Sequence, residues 1–283
     1  MRSTLLVAAL GGALVASPAL AETLYDNGPF ITNPTGGTGS IAGQPISNAD
    51  GFNVPGSTFL FSTSGVNASH AANTRLADDF IVTGAGWDLD SVKLYAFQTS
   101  QATATVTAVR INLWDATPVS ENSPPPVPNP LPLPLLSEPL VIPAGPGRFV
   151  AHRQSPSGTS TVRPVFEYTI PLDGLPDGGR LGPGTYWLEF SMEGALTPTA
   201  NVFVPLVSPR TAVSGHNARL YNSIDGSSTG PRSWFEGREG FVAGASDGRA
   251  YAIPFVLEGT VIPEPASLSL LAMGSLLLGR RRR

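Results

Sequence analysis

The chain has 283 residues, room for one large domain or two small ones, and Gly (31) and Pro (28) together make about a fifth of it. Charged residues are only 13%, the net charge is −4, and there is no cysteine, which excludes disulfides, thiolate metal sites and cysteine nucleophiles. Three histidines, His70, His152 and His216, leave little material for an imidazole-rich metal site, while 41% apolar residues suffice to build a core.

At the start, Arg2 precedes an apolar run over residues 5–16, which Ser17 and Pro18 break before Ala19, Leu20 and Ala21. That order predicts a secretory signal peptide over 1–21, cut by signal peptidase before Glu22. Twelve apolar residues are too few to cross a hydrocarbon layer of roughly 30 Å comfortably, so a retained anchor is the weaker reading.

The next segments read as strands between turns. Residues 22–26 can start a sheet, 35–53 are rich in Gly, Asn, Pro and Ser and read as loop, and 58–61 suit a further strand. A short strand over 79–83 is turned by Gly84 and Gly86 into a strand over 87–98. In 102–114, Val109, Ile111 and Leu113 share one face, because a strand's period is two, and that face is expected in the core. The prolines of 123–136 exclude a central strand and predict an exposed polyproline II excursion. Its plain reading is a variable insertion in a long loop, its functional one a docking arm for an aromatic groove.

Beyond it the alternation is clear. Phe166, Tyr168, Ile170 and Leu172 form one apolar face, Tyr186, Leu188, Phe190 and Met192 a second after the Pro183-Gly184 turn, and Tyr251, Ile253, Phe255 and Leu257 a third. Glu167, Glu189 and Glu258 fall on the opposite faces. Between the two ends no run of 11 or more residues keeps a helical period with helix-favouring composition, so these half-apolar strands must cover one another. The expected fold is all-β: one two-sheet antiparallel β-sandwich over 22–260, with a jelly-roll as one form of it and a barrel as the alternative.

Candidate sites are sparse. Asp88 and Asp90 are two apart and can face one calcium ion, but calcium takes six to eight oxygens, and the opposing reading is two solvent-facing carboxylates. Asp78-Asp79 is the other close carboxylate pair, with a local backbone-bracing role for Asp79 as its plainer reading. Glycoside hydrolysis needs two carboxylates about 5–9.5 Å apart; Glu167, Glu189 and Glu193 are available, but their spacing selects no pair. Ser214-Gly215-His216 lacks a nucleophile elbow and an identifiable acidic partner. No catalytic residue and no cofactor is assigned, and the chain is expected not to be an enzyme. Trp87, Trp114 and Trp187 suit core packing. Trp234, in a loop-like Gly/Pro-flanked segment, is expected either to cover the core or, with Tyr221, Asn222 and Arg232, to contact carbohydrate.

The carboxyl end carries Pro263-Glu264-Pro265, an apolar run over 266–279 and the cluster Arg280, Arg281, Arg282 and Arg283. A helix of that run would be about 21 Å long, a short anchor whose arginines stay on the cytoplasmic side. This end, 261–283, resembles the sorting tail of bacterial PEP-CTERM proteins. The segments Ala77-Asp78-Asp79-Phe80, Ile111-Asn112-Leu113-Trp114-Asp115 and Gly184-Thr185-Tyr186-Trp187-Leu188 are similar to landmarks of ectodomains in that class, for which no function is assigned. The resemblance implies a Gram-negative host, a transient inner-membrane tail anchor, and cutting by an exosortase, a membrane-embedded cysteine protease. Without Arg2, Glu264 and the terminal arginines, residues 22–262 carry 12 cationic and 20 anionic side chains, a net charge of −8. Such a surface disfavours nucleic acid and anionic lipid. The functional expectation is an exported structural or adhesive protein of the envelope or exopolysaccharide matrix. A carbohydrate-binding module is the alternative, and a secreted glycoside hydrolase a distant third.

Overall fold

The computed structural model describes residues 21–36, 43–47, 65–99, 101–119, 132–155, 158–195, 201–207, 217–223, 230–237 and 251–264. The predicted signal peptide, the predicted strand over 58–61, most of the proline-rich excursion, Ser214-Gly215-His216 and the tail from Pro265 onward lie outside them. In chain order the strands are β1 (Glu22–Asp26), β2 (Ile46–Ser47), β3 (Val66–Asn67), β4 (Arg75–Val82), β5 (Trp87–Ala96), β6 (Val106–Trp114), β7 (Leu140–Pro143), β8 (Arg148–Ser155), β9 (Gly158–Pro171), β10 (Arg180–Leu181), β11 (Gly184–Gly194), β12 (Phe203–Val204), β13 (Arg219–Ser223), β14 (Arg232–Glu236) and β15 (Phe255–Val261). Two single-turn 3₁₀ segments, His70–Ala72 and Pro176–Gly179, complete the described secondary structure, which contains no α-helix.

Two sheets carry the fold. One runs β1-β15-β5-β9-β8-β2, with β10 also pairing β5; the other runs β14-β13-β4-β11-β6-β7, and β12 with β3 forms a small ribbon. All named pairings are antiparallel except β2 with β8. The expected two-sheet antiparallel architecture is therefore the observed one. Its main core is made by the faces that period-two alternation selects: Val109, Ile111 and Leu113 from β6, Tyr168 and Ile170 from β9, Leu188, Phe190 and Met192 from β11, and Phe255 and Leu257 from β15. These alternating apolar faces are hidden against the other sheet, which is why the sheets pack.

Local differences from the sequence reading have physical causes. The strand expected over 79–83 is longer, because β4 pairs with β11 along most of its length and with β13 at its start. The loop expected over 35–53 contains β2, and the loop expected around Trp234 contains β14, which pairs with β13 from Arg219↔Glu236 to Ser223↔Arg232. Tyr251 and Ile253 join the core from the segment leading into β15 rather than from the strand itself. In β5, Leu89 pairs Gly259 and Ser91 pairs Glu258, so Asp90 is an extra residue and the inward face passes from Leu89 to Val92.

Candidate functional site

Alternation puts Ala77, Trp114, Trp187 and Glu189 on the face of the second sheet turned away from the core, yet all are buried and Trp234 joins them in a separate cluster. Trp234 is 2% exposed; its ring meets Trp114 edge-on at 6.1 Å and tilts against Tyr221 at 5.3 Å. Arg75 lies over the Tyr221 ring at 3.8 Å and, farther, over Trp234 at 5.6 Å, a cation–π arrangement. A ring so covered offers no open face to a sugar, and the core-covering reading of Trp234 is the one its surroundings fit. Asn222 Oδ1 accepts the Ser223 N–H at 2.8 Å and Arg232 at 3.5 Å, while Arg232 also donates to the Asn73 carbonyl at 3.1 Å. The four candidates Trp234, Tyr221, Asn222 and Arg232 do come together on the β13–β14 hairpin, in contacts that brace it.

Glu189 is the charged centre of this cluster. It is 3% exposed, accepts a hydrogen bond from Arg75 Nη1 at 2.9 Å and another from the Trp114 indole N–H at 2.6 Å. Both oxygens are thus held, the condition for a carboxylate to remain in a covered site. Glu193, also on β11, pairs instead with Arg110 on β6 at 2.5 Å. Four residues of strand separate the two by about 13 Å, beyond the span of a glycosidase pair. Glu167 sits on the other sheet and pairs with Arg148 at 2.7 Å. That contact, then the Glu167 charge, raises the Arg148 pKa, and burial followed by Glu167 raises that of the Tyr95 phenol. The three glutamates do not converge.

Among the described residues Asp78 is the most deeply placed carboxylate. On the core side of β4 between Leu76 and Phe80, it is 1% exposed. Its Oδ2 accepts the Asn27 side-chain amide at 2.8 Å and the Ile253 N–H at 2.6 Å, and its Oδ1 accepts the Asp79 N–H at 2.9 Å. One side chain of the second sheet thereby ties down the residue after β1 and the segment entering β15. Burial pushes its pKa well above the usual carboxylate range, against those hydrogen bonds, and the neighbouring Asp79 adds to the rise. Burial, and secondly Asp78, raises the pKa of Tyr251. The sequence pair Asp78-Asp79 points to bracing by Asp79; the structure shows Asp78 bracing the backbone at Asp79 and Ile253.

Asp88 and Asp90 do not form a cation site together. The bulge re-aims Asp90 into solvent, and Asp88 faces Arg180 Nε at 3.7 Å with both side chains largely exposed. Among the described residues no group of three or more His, Asp or Glu side chains stands close enough to hold a metal ion. Nor is any described helix long and apolar enough to cross a membrane.

The two ends of the body form the remaining feature. Glu22 pairs with Gly259 and Asp26 with Val256, so the start of β1 and the end of β15 lie side by side. Ile262 N–H then donates to the Gly86 carbonyl at 2.9 Å, pinning the exit to the β4–β5 turn, and Pro263 and Glu264 are exposed beyond it. Beside this exit lies an open depression of ≈ 540 Å³ lined by Ala85, Asp177, Arg180, Leu181, Gly182 and Ile262. Comparison with known protein families, with curated proteins and with solved structures finds no match.

Proposed function

We propose that the chain is an exported, exosortase-sorted, non-catalytic protein with a structural or adhesive role in the envelope or exopolysaccharide matrix of a Gram-negative bacterium. The observation that carries this reading is the pairing of Glu22 with Gly259. The residue after the proposed signal-peptidase cut and the residues before Pro263 leave one end of one sheet. A body delivered through a membrane by its amino end and held by its carboxyl tail needs both stems on the membrane side, and antiparallel β1–β15 supplies that without any crossing of the sandwich. An assignment without catalysis is supported by Glu167, Glu189 and Glu193, each bound to its own arginine on a different strand.

Fractionation of tagged protein with and without residues 263–283 tests the sorting reading. The full chain is expected to pass through a membrane-bound stage that the shortened chain skips, so that the shortened chain is released at once. Equal partition of the two forms contradicts it.

A further inference from the structure

The strand ends that carry the stems also carry exposed apolar side chains. Among the described residues the large hydrophobics that stand exposed are Ile81, Leu133, Leu135, Val141 and Val261. Val261 is the last residue of β15, and Ile81 lies one residue before the end of β4, which the 83–86 turn joins to the start of β5, the partner of Val261. Pro134 bridges Trp114, the last residue of β6, and Leu135 N–H donates to the Leu113 carbonyl at 2.7 Å. Leu133, 74% exposed, therefore projects past the end of β6, level with the end of β4, from which β11 and β6 separate it. Three strand spacings place Leu133 and Ile81 about 15 Å apart. Only Val141 is elsewhere: it pairs with Arg110, four residues or about 13 Å back along β6. Ile81, Leu133 and Val261 thus lie at the end from which both stems emerge, with Leu135 two residues farther in than Leu133.

We infer that this end is a foot whose Ile81, Leu133, Leu135 and Val261 side chains rest in the surface of the lipid bilayer while the chain is still tethered. The inference rests on the tail-anchor reading above, and names the lipid surface as the partner of that end. The occupant follows from where the chain goes next: the apolar run 266–279 begins five residues after Val261, and the predicted signal peptide's apolar run ends six residues before Glu22. Stems this short hold the end against the membrane at high effective concentration. Among the described residues the rim is acidic, with Glu22, Asp115 and Asp177 exposed and Asp88 half-buried against Arg180, so headgroup charge does not supply the attraction. Burial of apolar side chains does, and it is too small to persist once the tether is cut.

Because the chain has no cysteine, one cysteine can report on one place. The exported chain, inserted through its own tail into phosphatidylcholine vesicles with brominated acyl chains, carries a polarity-sensitive fluorophore at Ile81→Cys, Leu133→Cys or Val141→Cys. Bromine is expected to quench the first two strongly and the third not at all, and cleavage between the body and the tail should abolish the quenching. Three equally unquenched labels on vesicle-bound chains would overturn the foot, as would spectral shielding of 81 and 133 that persists in cleaved protein through self-association. Failure of the chain to bind vesicles would instead count against the tail anchor. The same labels on a chain whose 263–283 are exchanged for a generic membrane-spanning helix keep the foot testable in that event.

Discussion

Asp78 and Glu189 solve the same problem in two ways. Glu189 keeps its charge company with Arg75 and the Trp114 indole, whereas Asp78 has only neutral donors and a like-charged neighbour, and its pKa moves up. A carboxyl whose folded pKa exceeds its unfolded value contributes stability below the unfolded pKa and loses it as pH rises through the folded one. Asp78→Asn removes that dependence, so it should cost more stability at about pH 4 than at about pH 7.5. Denaturant midpoints of both proteins across that range check it; a cost that grows toward neutral pH contradicts the sign. Arg75→Ala leaves Glu189 covered without its cation and should lower unfolding stability by about 3 kcal/mol. Adding Glu189→Gln, which still offers an oxygen to the Trp114 N–H, should recover part of the loss, read as a non-additive double-mutant cycle.

At the scale of elements, the inner faces were legible and the outer ones were not. Leu188, Phe190 and Met192 announce their burial by recurring at every second residue, and the structure needs nothing further to place them. The same rule sends Trp187 and Glu189 to solvent, yet they are covered, because covering depends on segments distant in sequence such as β14, whose Trp234 shares the cluster of Trp187. Mixed polarity hid β13 and β14: Arg219-Leu220-Tyr221-Asn222-Ser223 puts one core residue, Leu220, between partly covered polar ones. The candidate contacts around Trp234 were thus correctly grouped in space, while the exposure that a sugar would need depends on packing that no local pattern encodes. The β4–β5 turn, by contrast, was marked by its glycines. Gly86 has φ +125°, and an added Cβ would meet the Leu181 carbonyl oxygen at 2.3 Å. Gly86→Ala should therefore destabilise by about 1–3 kcal/mol, measurable as a lower thermal midpoint. An unchanged midpoint would mean the turn relaxes freely.

For the whole molecule, the organising fact is that the first and last described strands of the body are neighbours, locked from the other sheet by Asp78 through Asn27 and Ile253. Both stems therefore enter and leave on one side, and the rest of the sandwich stands beyond them. Terminal sequencing and intact mass of the protein recovered from its host test this account most directly. Mature protein should begin at Glu22, lack the four terminal arginines and be found outside the inner membrane. A full-length chain beginning at Met1 and soluble in the cytoplasm would contradict it.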